Sequence, residues 1–311
     1  MDSIVGFSGF VGSNLCAQHS FDGRYNSKNI EQAFYTKPDL LVYSGVPAEK
    51  FLANKFPEKD LDIIEEAQNN IWKIQPKKLV LISTIDVYKS PCGVDEETKI
   101  ETEGLQAYGH NRYKLEEWVF DNKDQFDKIL IVRLPGLFGQ NLKKNFIYDM
   151  IHIIPSMLNQ QKFDELSKQS KAVEKHYVLQ DNGFYKCGDV TKREKELLKK
   201  ELLSLGFTAL NFTDSRASFQ FYNLVNLMEH IMIALENGLE RINLATTPVR
   251  AEEVYEFVTG EVFENIIDRP IPDYDFRTIH SSLLGGRGGY IASKERILSD
   301  IKTFVEAEKE K

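Results

Sequence analysis

The sequence predicts an α/β protein with a doubly wound parallel sheet and a smaller, interleaved C-terminal lobe. Short apolar segments of strand length alternate with helical periodicity through the first half of the chain, and a glycine-rich turn follows the first segment. This alternation weakens after about residue 140, and strand-like segments return near residues 215–245. We therefore expect one domain over residues 1–140, completed near 215–245, and a lobe formed mainly by residues 141–311.

The predicted elements follow in chain order. The pattern indicates a strand at residues 3–6, a helix at 10–19, strands at 21–26 and 38–43, a helical region at 47–75 broken at Pro57, a strand at 78–83, a helix at 107–120, a strand at 128–134, a helix near 145–158, and strand-like segments at 218–222 and 242–244. The continuous apolar run at 78–83 is typical of a strand that is buried on both faces of a parallel sheet.

Composition excludes several classes of protein. The chain has 311 residues, 42% of them hydrophobic and 28% charged, as in ordinary globular enzymes. It has 47 acidic and 39 basic residues, a formal charge of −8 and no dense basic stripe, so a nucleic-acid partner is not expected. The three cysteines are widely spaced and form no CxxC pair, which argues against a disulfide framework and a zinc site. Without a signal-peptide pattern or a membrane-spanning run, we expect a cytoplasmic protein with no membrane partner.

The glycine turn indicates a binding site for an anion. Gly6, Gly9 and Gly12 follow the first strand with the spacing GxxGxxG, and Phe10 and Val11 begin the next helix. Glycines here allow a tight turn, a close approach of backbone amides to phosphate, and close packing of the helix on the strand. The helix N-terminus then faces the anion, so the turn predicts a site for the pyrophosphate of a dinucleotide.

A second group of residues has the chemistry of acid–base catalysis. Thr84 lies where the central strand at 78–83 ends, at the sheet edge where open α/β sheets bind their ligands. Tyr108 begins the next helix, and Arg112 is four residues later on the same helix face. Because a phenol has a pKa near 10, Tyr108 needs a fixed cation to stabilise its phenolate, and Arg112 is the candidate.

Together these motifs resemble the extended short-chain dehydrogenase/reductases, and more narrowly the NAD-dependent epimerase/dehydratase family acting on nucleotide sugars. The resemblance rests on the glycine turn, on the segments at 83–88 and 108–112, and on Leu-Pro-Gly-Leu-Phe-Gly at 134–139. Residues 242–254 resemble the late strand and helix of the same family, so the similarity covers nearly the whole chain. It implies a Rossmann-like fold, a nicotinamide cofactor and a substrate-binding C-terminal lobe.

The resemblance also implies residue roles. Tyr108 is the expected general acid or base, Thr84 hydrogen-bonds the same substrate oxygen, and Arg112 stands where the family normally has lysine. The choice between NAD and NADP stays open, because Asn26 and Ser27 occupy the place where many NAD-binding members have an aspartate. The expected cofactor-binding residues are Gly6, Gly9, Phe10, Val11, Gly12, Asn26, Ser27, Ser44, Gly45, Ser83, Arg112 and Pro135.

The resemblance also suggests substrate-binding residues and a type of reaction. By resemblance, the expected substrate-binding residues are Thr84, Asn145, Arg216, Gln220, Tyr222 and Arg287. Reduction of a keto-sugar nucleotide is preferred over epimerisation, because the compressed segment between the first helix and the strand at 38–43 looks more like the family's reductases. A dehydratase is less favoured, because Ile85 and Asp86 follow Thr84 without an Asp-Glu pair. The alternative is a non-catalytic NAD(P)-binding sensor or scaffold, and a homodimer through the long helices is what the family commonly forms.

Overall fold

The computed structural model describes residues 1–310. The strands are β1 (Asp2–Val5), β2 (Gly23–Tyr25), β3 (Leu40–Tyr43), β4 (Lys78–Thr84), β5 (Lys128–Leu134), β6 (Gly136–Phe138), β7 (Met157–Leu158), β8 (Tyr177–Leu179), β9 (Tyr185–Cys187), β10 (Ser218–Phe219), β11 (Phe221–Asn223), β12 (Arg241–Asn243) and β13 (Val249–Arg250). The α-helices are α1 (Phe10–Gln18), α2 (Lys50–Lys55), α3 (Pro57–Ile74), α4 (Ala107–Asp121), α5 (Phe146–Ile151), α6 (Gln160–Ser167), α7 (Lys171–His176), α8 (Lys192–Ser204), α9 (Leu227–Glu236), α10 (Ala251–Thr259) and α11 (Lys294–Lys309).

A six-stranded sheet organises the first part of the chain. Its strand order is β12-β5-β4-β3-β1-β2, and each neighbouring pair is parallel. β1 lies between β2 and β3, so the chain first extends the sheet in one direction and then continues it in the other. The carboxyl ends of β1 and β3 therefore border a topological switch point, where ligands bind in sheets of this kind. The predicted doubly wound α/β fold is confirmed.

Successive residues on each buried strand pack on opposite faces of this sheet. On β3, Val42 belongs to a hydrophobic cluster with Leu15 of α1. Its neighbour Leu41 belongs to a second cluster with Ile64 of α3 and Leu115 of α4. Because strand side chains alternate between faces, both faces must be apolar and both must be covered by helices. This explains why the central strands appear in the sequence as continuous apolar runs.

The described chain separates into two compact units. Unit 1 contains Met1–Leu142, Ser218–Val249 and Pro272–Asp300. Unit 2 contains Lys143–Ala217, Arg250–Ile271 and the segment from Ile301 onward. The sheet segment near 215–245 lies mostly in unit 1, as does the region 272–300, which the sequence analysis assigned to the C-terminal lobe. Within residues 1–310, no helix combines the length and the apolarity needed to cross a membrane.

Unit 2 has its own core, although its sequence appears polar and lysine-rich. Leu198 and Leu202 of α8 are fully buried in a cluster with Leu158, Val173 and Tyr177. An antiparallel sheet with the order β7-β9-β8 contributes to this cluster. The exposed lysines of α8 conceal a narrow apolar stripe on the opposite face of the helix.

Asp149 on α5 is a partly buried carboxyl that makes the stability of unit 2 depend on pH. Burial raises the pKa of Asp149 on α5 to about 7. Its unfolded pKa is about 3.9, so the folded state binds more protons over the interval between these values, and stability falls as pH rises through it. We expect Asp149→Asn to remove this loss, which amounts to roughly 4 kcal/mol above pH 7 for a shift of this size.

Urea unfolding of wild type and Asp149→Asn at about pH 5 and pH 8 measures this effect. The variant should be the more stable of the two at the higher pH and should show a shallower pH dependence. Equal pH dependences for the two proteins would show that Asp149 ionises as freely in the folded state as in the unfolded one.

Candidate active site

The glycine turn lies at the carboxyl end of β1 and leads into α1. Gly6 has a φ of +89°, and a β-carbon built on it would lie 2.4 Å from the Ser44 carbonyl oxygen. A β-carbon on Gly12 would lie 2.1 Å from the Gly6 carbonyl oxygen. Both contacts are with backbone atoms, so these two positions require glycine.

The start of α1 fits a phosphate group. Gly9 is the N-cap, and it offers no side-chain acceptor to the amides of the first turn, in which Phe10 and Val11 are half-buried. Those amides have no partner within the helix, and the positive end of the helix dipole favours an anion beside them. With the space left by the glycines, this arrangement forms a cradle that the pyrophosphate of a dinucleotide would fill.

The ends of β3 and β2 lie on either side of this turn. The Ser44 hydroxyl donates a hydrogen bond of 2.9 Å to the carbonyl of Val5, and a β-carbon on Gly45 would lie 2.9 Å from a Val5 methyl. At the end of β2, the Asn26 side chain donates a hydrogen bond of 3.3 Å to the Ser8 hydroxyl, and Ser27 is exposed. The structure therefore brings the predicted cofactor-binding residues of all three strands to one edge.

The predicted catalytic pair meets at the carboxyl end of β4. The Thr84 side chain lies beside the Tyr108 phenol and lowers its pKa, and Tyr108 is 8% exposed. A β-carbon on Gly109 would lie 1.9 Å from the Asp86 carbonyl oxygen, so glycine lets the start of α4 pack directly on the turn after β4. The Tyr108 amide also donates a hydrogen bond of 2.9 Å to the Asn54 side chain of α2. These contacts fix the phenol beside the threonine.

Arg112 does not act as a free cation next to the Tyr108 hydroxyl. Its guanidinium lies 4.0 Å from the centre of the Tyr108 ring, donates to the Asp60 carboxylate at 2.6 Å and donates to the Pro47 carbonyl at 2.6 Å. Burial raises the pKa of Tyr108, and the opposing effect of Arg112 is smaller. Arg112 therefore lowers the pKa of Tyr108 as expected, but the effect of burial is larger and the net shift is upward.

Three further polar side chains lie near the phenol, and the sequence analysis assigned no role to them. Lys50 of α2 forms an ion pair with Asp86 at 2.9 Å, and the Tyr274 hydroxyl donates to the same carboxylate oxygen at 3.2 Å. Asp86 raises the pKa of Tyr108, and Lys50 lowers it. No sequence signal links Lys50 or Tyr274 to Asp86, because the pairs are separated by 36 and 188 residues.

Ser83 and Pro135 occupy different environments at this edge. Ser83 is buried, and its hydroxyl donates to the Glu116 carboxylate at 2.5 Å. This hydroxyl therefore already has a hydrogen-bond partner inside the protein. This geometry argues against a contact between the Ser83 side chain and a cofactor. Pro135 is half-buried and directly follows β5, whose last residue is in register with Thr84. Pro135 therefore lies at the same carboxyl edge of the sheet as Thr84.

Two predicted substrate residues are interior residues of unit 1. Gln220 is buried, and its amide binds the carbonyls of Thr246 and Phe276 at 2.5 and 2.8 Å. Tyr222 is buried, and its hydroxyl forms a hydrogen bond of 2.8 Å with His230. Their burial and their complete set of internal partners argue against substrate binding, and we correct the expectation for both.

The remaining predicted substrate residues are accessible to different degrees. Asn145 caps α5, where its side chain accepts from the Tyr148 amide at 3.1 Å, and its φ is +108°. Arg216 in unit 2 makes two hydrogen bonds with buried Asp214, at 2.9 and 2.8 Å, so its charge is already paired. Arg287 is exposed in its glycine loop. Within residues 1–310, no group of three or more His, Cys, Asp or Glu side chains is arranged to hold a metal ion.

The fold of this protein is similar to those of several proteins of known structure. No family model matches the sequence, and no curated protein matches it. RMD from Pseudomonas aeruginosa, complexed with NADPH, is 14% identical with a TM-score of 0.63 over 100% of this chain and 99% of that one. UDP-glucose 4-epimerase from Thermotoga maritima, with UDP-glucose, is 13% identical with a TM-score of 0.61 over 98% of each chain. The dTDP-4-dehydrorhamnose reductase from Bacillus anthracis, in complex with NADP, is 16% identical with a TM-score of 0.61 over 98% of each chain.

These similarities establish the fold along the whole chain. The protein has the fold of the three proteins named above, and the resemblance seen in the sequence is confirmed at the level of the fold. Identities of 13 to 16% leave the reaction to be argued from this chain's own residues.

Proposed function

We propose that this protein is an NAD(P)-dependent oxidoreductase or isomerase of the epimerase/dehydratase family that acts on a nucleotide sugar. The observation that carries the proposal is the placement of Thr84 beside the Tyr108 phenol, at the same sheet edge as the glycine cradle. β4 and β1 are separated by β3 alone, so their ends lie about 10 Å apart at the usual strand spacing. This separation suits a dinucleotide whose pyrophosphate is held at β1 and whose reactive ring reaches β4.

The cofactor is held by this chain's own backbone and polar groups. The amides that begin α1 would bind the pyrophosphate, and Asn26 and Ser27 would border the adenosine ribose. Ser44 and Gly45 would lie beneath the dinucleotide, and Pro135 would border its nicotinamide end. The structures with NADPH and NADP named above support a cofactor of this class. When bound, the nicotinamide supplies or accepts hydride at a sugar carbon.

Proton transfer in the proposed reaction depends on Tyr108 and Thr84. In reduction, the Tyr108 hydroxyl gives its proton to the substrate oxygen that becomes an alcohol, while Thr84 hydrogen-bonds the same oxygen. Burial raises the pKa of Tyr108, which favours the protonated phenol that donates in this direction. We favour reduction of a keto-sugar nucleotide over epimerisation because the short segment between α1 and β3 looks more like the reductases of that family.

The alternative is an NAD(P)-binding sensor or scaffold without catalytic activity. It is favoured by the pairing of Arg112 with Asp60, because a phenol without a dedicated cation is a weak acid–base catalyst. In that case cofactor binding would persist, but Tyr108 would make no difference to function.

Cofactor binding by the full-length chain tests the proposal. Fluorescence titration with NADPH and NADH should show saturable binding, and a bound nucleotide should raise the melting temperature by mass action. Turnover should consume reduced nicotinamide with a member of a keto-sugar nucleotide panel. We expect Gly12→Ala to lower the affinity at least a hundredfold, because the new methyl collides with the Gly6 carbonyl.

Gly188→Ala is the matched control, since its β-carbon would lie 3.7 Å from the nearest neighbouring atom. It should bind nucleotide like wild type. The wild-type titration is decisive even if Gly12→Ala fails to fold: absence of binding for both nucleotides would refute the proposed function and its alternative together.

A further inference from the structure

We infer that the adenosine end of the proposed cofactor site selects NADP(H) over NAD(H), with Asn26, Lys28 and Arg24 as the specificity-determining residues. The inference rests on the proposed function, which leaves the choice between the two cofactors open. The two molecules differ by a single 2′-phosphate on the adenosine ribose, so this side of the site decides between them.

The position of Asn26 relative to the glycine cradle is the first observation. Asn26 directly follows β2, and the Tyr25 carbonyl at the end of that strand accepts a hydrogen bond of 2.7 Å from the Gly6 amide. The Asn26 side chain donates to the hydroxyl of Ser8, within the glycine turn, at 3.3 Å. Asn26 thus stands where an acidic residue binds the ribose hydroxyls in NAD sites. An amide carries no charge that would repel a phosphate.

The second observation is the local balance of charge. Residues 23–30 contain Arg24 and Lys28 and no acidic residue, and the nearest carboxylates in the sequence are Asp22, before β2, and Glu31. Both cations are exposed, and in the part of the chain the structure describes neither forms an ion pair. The neighbouring segment 44–47 after β3 is also uncharged. A 2′-phosphate, with close to two negative charges at neutral pH, meets two unpaired cations here.

The loop that carries these residues has a defined shape. The Asn26 side chain accepts from the Lys28 amide at 2.9 Å, and the Asn29 side chain accepts from the Asn26 amide at 2.7 Å. Asn29 also donates to the Arg24 carbonyl at 3.1 Å. These bonds hold residues 26–29 in a compact turn directly after β2, so Asn26 and Lys28 lie in the turn and Arg24 lies on the strand that leads into it.

Calorimetric titration of the full-length chain tests the inference without any substrate. The probes are NADPH and NADH, together with the fragments 2′,5′-ADP and 5′-AMP, which differ by the same phosphate. We expect each 2′-phosphorylated probe to bind at least tenfold more tightly than its counterpart, because a charge-assisted contact is gained. Added salt should weaken that preference, since the cations are exposed.

Variants locate the effect. Asn26→Asp should lower the affinity for NADPH at least tenfold without weakening NADH, and Lys28→Ala should weaken NADPH alone. Lys78→Ala is the control, because Lys78 is exposed at the amino end of β4, the opposite edge of the parallel sheet. Equal or tighter binding of NADH, or equal effects of Lys28→Ala and Lys78→Ala on NADPH, would overturn the inference while leaving the proposed function intact. Binding of none of the four probes would remove both.

Discussion

Replacing Glu116 by alanine is expected to destabilise the protein by about 3–5 kcal/mol, the range for breaking a buried ion pair from one side. The Glu116 and Arg133 side chains are 1% and 2% exposed, and their charged atoms approach to 2.5 Å. Arg133 also donates to the Tyr88 hydroxyl at 2.7 Å, and Glu116 accepts from Ser83. Without the carboxylate, a guanidinium and a serine hydroxyl would be left buried without their main partner.

Urea unfolding monitored by circular dichroism measures this loss. The control is Glu117→Ala, because Glu117 is the next residue of the same helix and is exposed. Helix propensity is then matched, and the control should change stability by no more than about 0.5 kcal/mol. A loss below about 1 kcal/mol in Glu116→Ala would mean that the ion pair and its network contribute little to stability. Such a small loss would require water to reach the Arg133 guanidinium in the variant.

The largest effect on activity is expected from Tyr108→Phe, which should lower kcat by about 10²–10⁴-fold. The change removes the hydroxyl that donates the proton but keeps the ring that stacks on Arg112. NADPH affinity should stay within about twofold of wild type, because the glycine cradle is untouched. Stopped-flow measurement of hydride transfer with a bound nucleotide sugar gives the rate directly.

Tyr113→Phe is the matched control for this experiment. Tyr113 is a half-buried tyrosine on the same helix, and it has no part in the proposed chemistry. It should retain wild-type turnover. If Tyr108→Phe turned over as fast as this control, the phenol would not be the acid, and the sensor interpretation would gain support.

Much of the fold was accessible from the sequence because it depends on local patterns. The break at Pro57 separates α2 from α3 as predicted, since proline is compatible with the first turn of a helix but not with its interior. The glycine spacing identified the turn after β1 because its backbone leaves no room for side chains. In unit 2, the exposed lysines of α8 hid the apolar stripe formed by Leu198 and Leu202.

Two of the predicted substrate-binding residues could not be assigned correctly from the sequence. Gln220 and Tyr222 lie in a segment whose motif resembles a ligand-bordering strand, yet both side chains point into the interior. In the sequence, nothing distinguishes an amide that binds backbone carbonyls from one that binds a ligand. The partners of Gln220 at Thr246 and Phe276 are 26 and 56 residues away.

By itself, the sequence determined the sheet, its glycine cradle and the identity of the tyrosine and threonine at its edge, because each depends on neighbours along the chain. Tertiary structure alone decided the electrostatics around that tyrosine. It paired Arg112 with Asp60, 52 residues earlier, and placed Asp86 between Lys50 and Tyr274. The physical reason is that the effect of a charge depends on its distance and burial in the folded chain, and both are set by packing between segments remote in sequence.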